Sequence, residues 1–260
     1  MDQELGPGIH AKVNHVAIRC FRDTGDADYI TARLSMRSAL PGQFLTAAQQ
    51  AIEKYQKCIL MLNQVDTKGL SHKLRKARSR IDEKLNFNIF FDEEEEALFA
   101  HLEKWDFDRY LLNSLYTRTD ELIVLDRLVW KLRQYCRPVN MVHRSLPPDD
   151  SVVNSNLMKI RESLSGPAKG GRVPGGMLER VLESEIHPAR PGLIWKNLWF
   201  TDSNRTSVWI GRDYQAENAP LFNFPEVAQE ASQYMQINDN VIRGARQLAK
   251  EKLKRKKNGT

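Results

Sequence analysis

Cysteine is scarce: Cys20, Cys58 and Cys136 are the only three in 260 residues, far apart and without a Cys-x-x-Cys pair. That argues against a disulfide framework and a zinc finger, and points to a reducing, cytoplasmic compartment. Long hydrophobic runs are missing too. The strongest, Cys58 to Leu62, falls far short of the roughly 20 residues that span a bilayer. The N-terminus, Met-Asp-Gln-Glu-Leu, is acidic and does not read as a signal peptide. No P-loop, GxGxxG, GxSxG or HExxH occurs, and the six histidines form no ligand-spaced pair. These absences lead us to expect no enzyme, no cofactor and no metal.

What is present is positive charge, unevenly placed. The formal net charge is +6, and residues 243–257 alone hold eight Lys or Arg against one Glu, leaving the rest of the chain at −1. A basic tail is therefore expected, with nucleic acid as its polyanionic partner. A second basic stretch, residues 68–84, has seven Lys or Arg against two acids. Its Lys73, Arg75, Lys76, Arg78 and Arg80 fall on an expected helix over 70–85.

Hydropathy patterning suggests the reader of that nucleic acid. Between Tyr29 and Ser38 apolar Ile30, Ala32, Leu34 and Met36 alternate with polar Thr31, Arg33, Ser35 and Arg37. Period-two alternation predicts a strand with one apolar and one polar face. Two such strands paired across a dimer form a ribbon that enters the DNA major groove. Arg33 and Arg37 would then bond guanine edges, while Thr31 and Ser35 contact bases or phosphates. A helix over 43–64 follows, with Phe44, Ala48, Ile52, Tyr55, Ile59 and Leu62 on one face, and then the basic helix.

A rival ribbon is Lys84 to Phe91, whose polar positions are Lys84, Asn86 and Asn88. It runs into five acids, Asp92 to Glu96, which would repel phosphates and suit a helix N-terminus instead. That helix continues through Leu98, Leu102 and Trp105, with Tyr110 and Leu115 as its expected extension. Another starts at Thr119-Asp120-Glu121, shows Leu122, Leu125, Val129, Leu132 and Cys136, and closes at Pro138. Reading the acidic run as a nuclease metal cluster is less apt, because adjacent carboxylates on a helix diverge.

Beyond Ser145, prolines at 147 and 148 mark a boundary. Helices are expected near 156–164, 177–186 and 225–257, and strands at 193–200 and 205–212. Residues 165–176, with five glycines, read as a flexible loop. The expected organisation is a DNA-binding and dimerisation domain over 1–148 and an extension over 149–260. The extension carries that loop and a basic tail at 243–260, in which Lys254, Arg255, Lys256 and Lys257 bind phosphates.

Two stretches resemble a known family. One is Thr31-Ala32-Arg33-Leu34-Ser35-Met36-Arg37-Ser38. The other runs from Phe87 into Trp105-Asp106-Phe107-Asp108-Arg109-Tyr110, then Leu125-Asp126-Arg127 and Cys136-Arg137-Pro138. Over residues 29–145 the chain resembles the integrating conjugative element protein family that includes AcaB, a transcriptional activator of IncC-type conjugative plasmids. The resemblance implies a dimeric ribbon-helix-helix protein of a mobile element that binds a promoter and activates conjugation genes. It implies no catalytic residues.

The expected fold class is thus α+β and mostly helical, with a ribbon-helix-helix DNA-binding element inside a larger helical domain and a C-terminal α+β extension. The expected function is sequence-specific binding of double-stranded DNA as a homodimer, with no membrane partner. Alternatives are a DNA-processing accessory or replication protein of a mobile element, and a scaffold with no nucleic-acid role.

Overall fold

A computed structural model describes residues 7–105, 115–118, 120–139, 155–165, 172–173, 175–201, 214–216 and 219–257. Helices dominate. In order they are α1 (Pro7–Ala17), α2 (Asp23–Arg37), α3 (Pro41–Leu62), α4 (Leu74–Lys84), α5 (Glu93–Trp105), α6 (Glu121–Tyr135), α7 (Ser155–Ser165), α8 (Met177–Glu183), α9 (Arg190–Ile194), α10 (Pro220–Asn223), α11 (Ala228–Ala231) and α12 (Asp239–Lys257). A π-helical turn, Ile18–Arg22, joins α1 to α2 without a break. Among the described residues, sheet pairing is confined to two three-residue strands, β1 (Leu115–Thr117) and β2 (Tyr214–Ala216). They run antiparallel with Tyr116 opposite Gln215.

This corrects the expected fold: there is no ribbon-helix-helix element, because residues 29–37 lie within α2. The physical reason lies in the core. Asp26, Tyr29, Arg33 and Met36 are all buried, at spacings of three, four and three, which is the period of a helix face. Counting Arg33 as a surface residue turns that stripe into a false period of two. Ser38 and Ala39 end α2, with Ala39 at φ 57° and the Leu40 N–H bonding the Ser35 carbonyl at 2.9 Å. That is a Schellman close made without glycine. Helix α3 closes the same way at Gln64, φ 61°, before Gly69 is reached.

The rival run leaves α4 at Lys84, bends at 85–87 and pairs with no strand among the described residues. Leu85, Phe87, Ile89 and Phe91 are buried, while Asn86, Asn88 and Phe90 face out. The alternation therefore identified an irregular segment lying on the core, with no ladder partner among the described residues. The expected strand at 193–200 is replaced by α9 and irregular turns, and 205–212 lies outside the described residues.

Helix α3 is the hub. Phe44, Leu45, Ala48, Ile52, Tyr55, Ile59 and Leu62 are buried against α2, α4, α5 and α6. Gly25 lets α2 approach, since a Cβ there would stand 3.3 Å from both Lys54 and Tyr55. The five acids begin α5 as expected. Asp92 and Glu95 cap it reciprocally, each carboxylate taking the other's backbone N–H at 3.0 Å. Glu94 and Glu95 then pair with Arg127 and Lys131 of α6. The same core takes in Ile160, Leu178, Val181, Leu193 and Phe200, so it continues past the boundary expected near residue 148. A separate small cluster, Leu221, Ala228, Ile237, Ile242 and Ala245, joins α10, α11 and α12.

Within the main core, α2 and α6 run antiparallel and exchange charges twice. Asp26 of α2 holds Arg133 of α6 through Nε at 2.8 Å and Nη2 at 3.1 Å. Arg33 of α2 pairs with Asp126 of α6. Each helix thus carries an Asp seven residues before an Arg, two turns apart. Tyr55 donates to Asp26 at 2.7 Å and Tyr29 to Asp126 at 2.6 Å. Asn197 donates to the Tyr29 hydroxyl at 3.0 Å, and Glu179 of α8 takes Arg133 at 2.7 Å. Burial pushes the Asp26 and Asp126 carboxyls upward against the pull of their arginines. Burial also acts upward on Glu179, but the Arg133 hydrogen bonds and charge outweigh it, and its carboxyl sits below the usual range.

Two outcomes follow for stability. Arg33→Ala leaves a buried carboxylate unpaired and should cost about 3–5 kcal/mol in urea denaturation. Pairing Arg33→Met with Asp126→Leu should recover most of that loss; no recovery would contradict the pairing. For Glu179, the folded pKa lies below the unfolded one. Its contribution is therefore complete at neutral pH and fades as pH falls through the folded value. The stability gap between the parent and Glu179→Gln should narrow from pH 7 toward acid, and a constant gap would contradict it.

Candidate nucleic-acid interface

The residues expected to read bases are dispersed by α2. Arg33 is 0% exposed: besides Asp126 it donates to the carbonyls of Gly192, at 3.2 Å, and Trp195. Ser35 is buried as well. Neither can meet a base edge, so both assignments are corrected. Thr31 is exposed, with its hydroxyl bonded to the Ala27 carbonyl at 2.9 Å, and Arg37 is exposed at the helix end.

Helix α4 keeps its expected place but spends part of its charge internally. Arg75 pairs with Glu103 and Arg78 with Glu96, both at 2.6 Å. The Arg78 guanidinium also lies 4.1 Å from the Phe91 ring centre. Arg80 bonds the carbonyls of Asp66 and Lys68, and Lys76 bonds that of Gly69, which ties the preceding loop to the helix. Lys73 is exposed at the start of α4. Of the five, Lys73, Lys76 and Arg80 keep a charge with no carboxylate partner among the described residues.

Helix α12 is different. The Asn238 side chain takes the Asn240 N–H at 2.9 Å and its carbonyl takes the Ile242 N–H at 3.1 Å, so the helix begins capped. Asp239 opens the first turn and the basic residues gather toward the end, both favoured by the helix dipole. Val241, Ile242 and Ala245 pack onto the small C-terminal cluster. Lys252 extends that packing face, donating to the Phe222 and Asn223 carbonyls at 2.5 and 3.3 Å.

On the opposite side Arg243, Arg246, Lys250 and Lys254 follow at spacings of three and four, and so share one face. At the α-helical rise they span roughly 17 Å. Arg243 bonds the Asn240 side chain and Arg246 the Gln229 side chain, both neutral amides. Among the described residues none of the four has a carboxylate within ion-pair distance. Arg255 is exposed on another side, and the side chains of Lys256 and Lys257 lie outside the described residues. Of the expected tail residues, Lys254 belongs to a longer stripe that Arg243, Arg246 and Lys250 begin. Their three- and four-residue spacing was the signal for it.

Among the described residues no group of His, Cys, Asp and Glu could hold a metal ion, and no helix is long and apolar enough to cross a membrane. Comparison with protein-family models, curated proteins and solved structures finds no match. The resemblance to the integrating conjugative element family thus stands on its sequence stretches. The ribbon-helix-helix fold it implied is not the fold of this chain.

Gly244 interrupts α12 on an exposed side, where an added Cβ would meet nothing within 4 Å. Gly244→Ala should stabilise the helix by about 1 kcal/mol. Amide exchange across 239–257 should slow; unchanged exchange would show that α12 is not limited by its own backbone.

Proposed function

We propose that this protein binds nucleic acid through its phosphate backbone, using the basic face of α12. The carrying observation is the row Arg243, Arg246, Lys250 and Lys254, four cations on one face with no carboxylate partner among the described residues. Cations so spaced track a charged strand, and release of condensed counterions supplies the affinity. The balance of charge favours the same reading. Residues 243–257 carry a net +7 while the rest of the chain is close to neutral. Lys73, Lys76 and Arg80 on α4 are a secondary source of attraction.

Sequence-specific activation of promoters in a mobile element, as a homodimer, remains the expectation drawn from the family resemblance. In this chain the pairing ribbon is a helix, and of the expected readers Arg33 and Ser35 are buried while Thr31 and Arg37 remain at the surface. Binding that follows charge more than base identity is the reading we favour.

Fluorescence anisotropy with a 20-base-pair duplex tests it. Lys250→Glu with Lys254→Glu should weaken binding at 50 mM salt about tenfold or more. It should also lower the slope of log affinity against log salt by roughly 1.5–2, about two phosphate contacts. Arg37→Ala on α2 should leave both unchanged. Undiminished affinity in the α12 variant would overturn the proposal.

A further inference from the structure

The stripe does not end in open surface. At its root, between the end of α11, residues 235–237 and the first turns of α12, lies an open cleft of about 710 Å³. Its floor is apolar: Met235, Ile237 and Ile242, the last two buried in the C-terminal cluster. Its walls offer the Gln229 and Gln236 amides, the Ser232 hydroxyl and the Asp239 carboxylate. Arg243 and Arg246 stand at its mouth. Tyr234, next in sequence to the floor residue Met235, leaves 82% of its surface exposed.

We infer that this cleft takes one unpaired nucleotide of the bound nucleic acid, its base on the apolar floor and its phosphate between Arg243 and Arg246. The inference rests on the reading of α12 as a phosphate-binding face and adds the form of nucleic acid it prefers. Three features select this occupant. The two guanidiniums are bonded only to neutral amides, so their charge is available to a phosphate. The floor suits the flat apolar face of a base, which a paired and stacked base does not present. The walls mix donors and acceptors as a Watson–Crick edge does, and that edge is free only when the base is unpaired. A double helix is too wide to enter, so a strand end, a gap or an overhang is what the cleft accepts, while the rest of the stripe follows the adjoining phosphates.

Anisotropy at one salt concentration separates the alternatives. The probes are a blunt 20-base-pair duplex, a blunt 24-base-pair duplex, and the 20-mer carrying four unpaired thymidines at its 3′ end or, separately, its 5′ end. At least one overhang probe should bind about tenfold more tightly than the blunt 24-mer, the effect expected of one seated base. Ser232→Trp, which fills the cleft from its rim, should abolish that preference and leave blunt-duplex affinity intact. Gln236→Trp, at an exposed wall position, should do the same and guards against a folding defect in the first variant. Equal affinity for overhang and blunt probes, or a preference that survives both variants, would overturn the inference while leaving backbone binding standing. No binding to any probe would overturn the reading on which it rests.

Discussion

Two buried Asp–Arg pairs, exchanged between antiparallel helices, set the rest of this structure. Asp26 and Arg33 on α2 face Arg133 and Asp126 on α6, and each helix presents the acid two turns before the base. Taking four charges out of water is costly, and the cost is met only if every partner is in place. That demand fixes how α2 and α6 lie against α3, because Tyr29 and Tyr55 must reach the same carboxylates. It also recruits distant chain: Glu179 completes Arg133, and the carbonyls of Gly192 and Trp195 complete Arg33. Segments more than 140 residues beyond α2 are thereby drawn into one core.

This clamp separates stability from the proposed activity. Arg33, which looked like a reader of DNA, is among the side chains most deeply committed to the fold, while Arg37 stays at the surface. The cations left for an external polyanion lie where few carboxylates are near, chiefly along α12. That helix packs by Ile242, Ala245 and the Lys252 stem on one side and presents Arg243, Arg246, Lys250 and Lys254 on the other. Core and charge thus occupy different parts of the chain, and changes on the basic face should leave the clamp untouched.

The amphipathic helices were legible. Residues 43–64 and 121–136 announce themselves by apolar spacing, the second with a closing proline, and each lies within a few residues of its observed bounds; the helix led by the five acids starts where expected, but Leu115, its expected extension, belongs to β1. The alternation at 85–91 gave the correct exposure pattern, though the segment has no strand partner among the described residues. Residues 29–38 misled because a buried Arg and a buried Asp sit where a core stripe is normally apolar. Hydropathy alone cannot distinguish a core ion pair from a solvated face. The signal was the repeated spacing, Asp26 to Arg33 and Asp126 to Arg133, which becomes meaningful only once the two helices are known to be neighbours. On α12 the charge was evident from composition. Which of its cations face away from the small cluster, and the cleft at its root, required the packing of α10 and α11.

Hydrogen–deuterium exchange on the full chain, with and without a saturating 20-base-pair duplex at low salt, tests the division of labour most directly. Slowed exchange across 239–257, with α2 and α6 unchanged, is the predicted result. Protection appearing on α2 while α12 stays unaffected would contradict it.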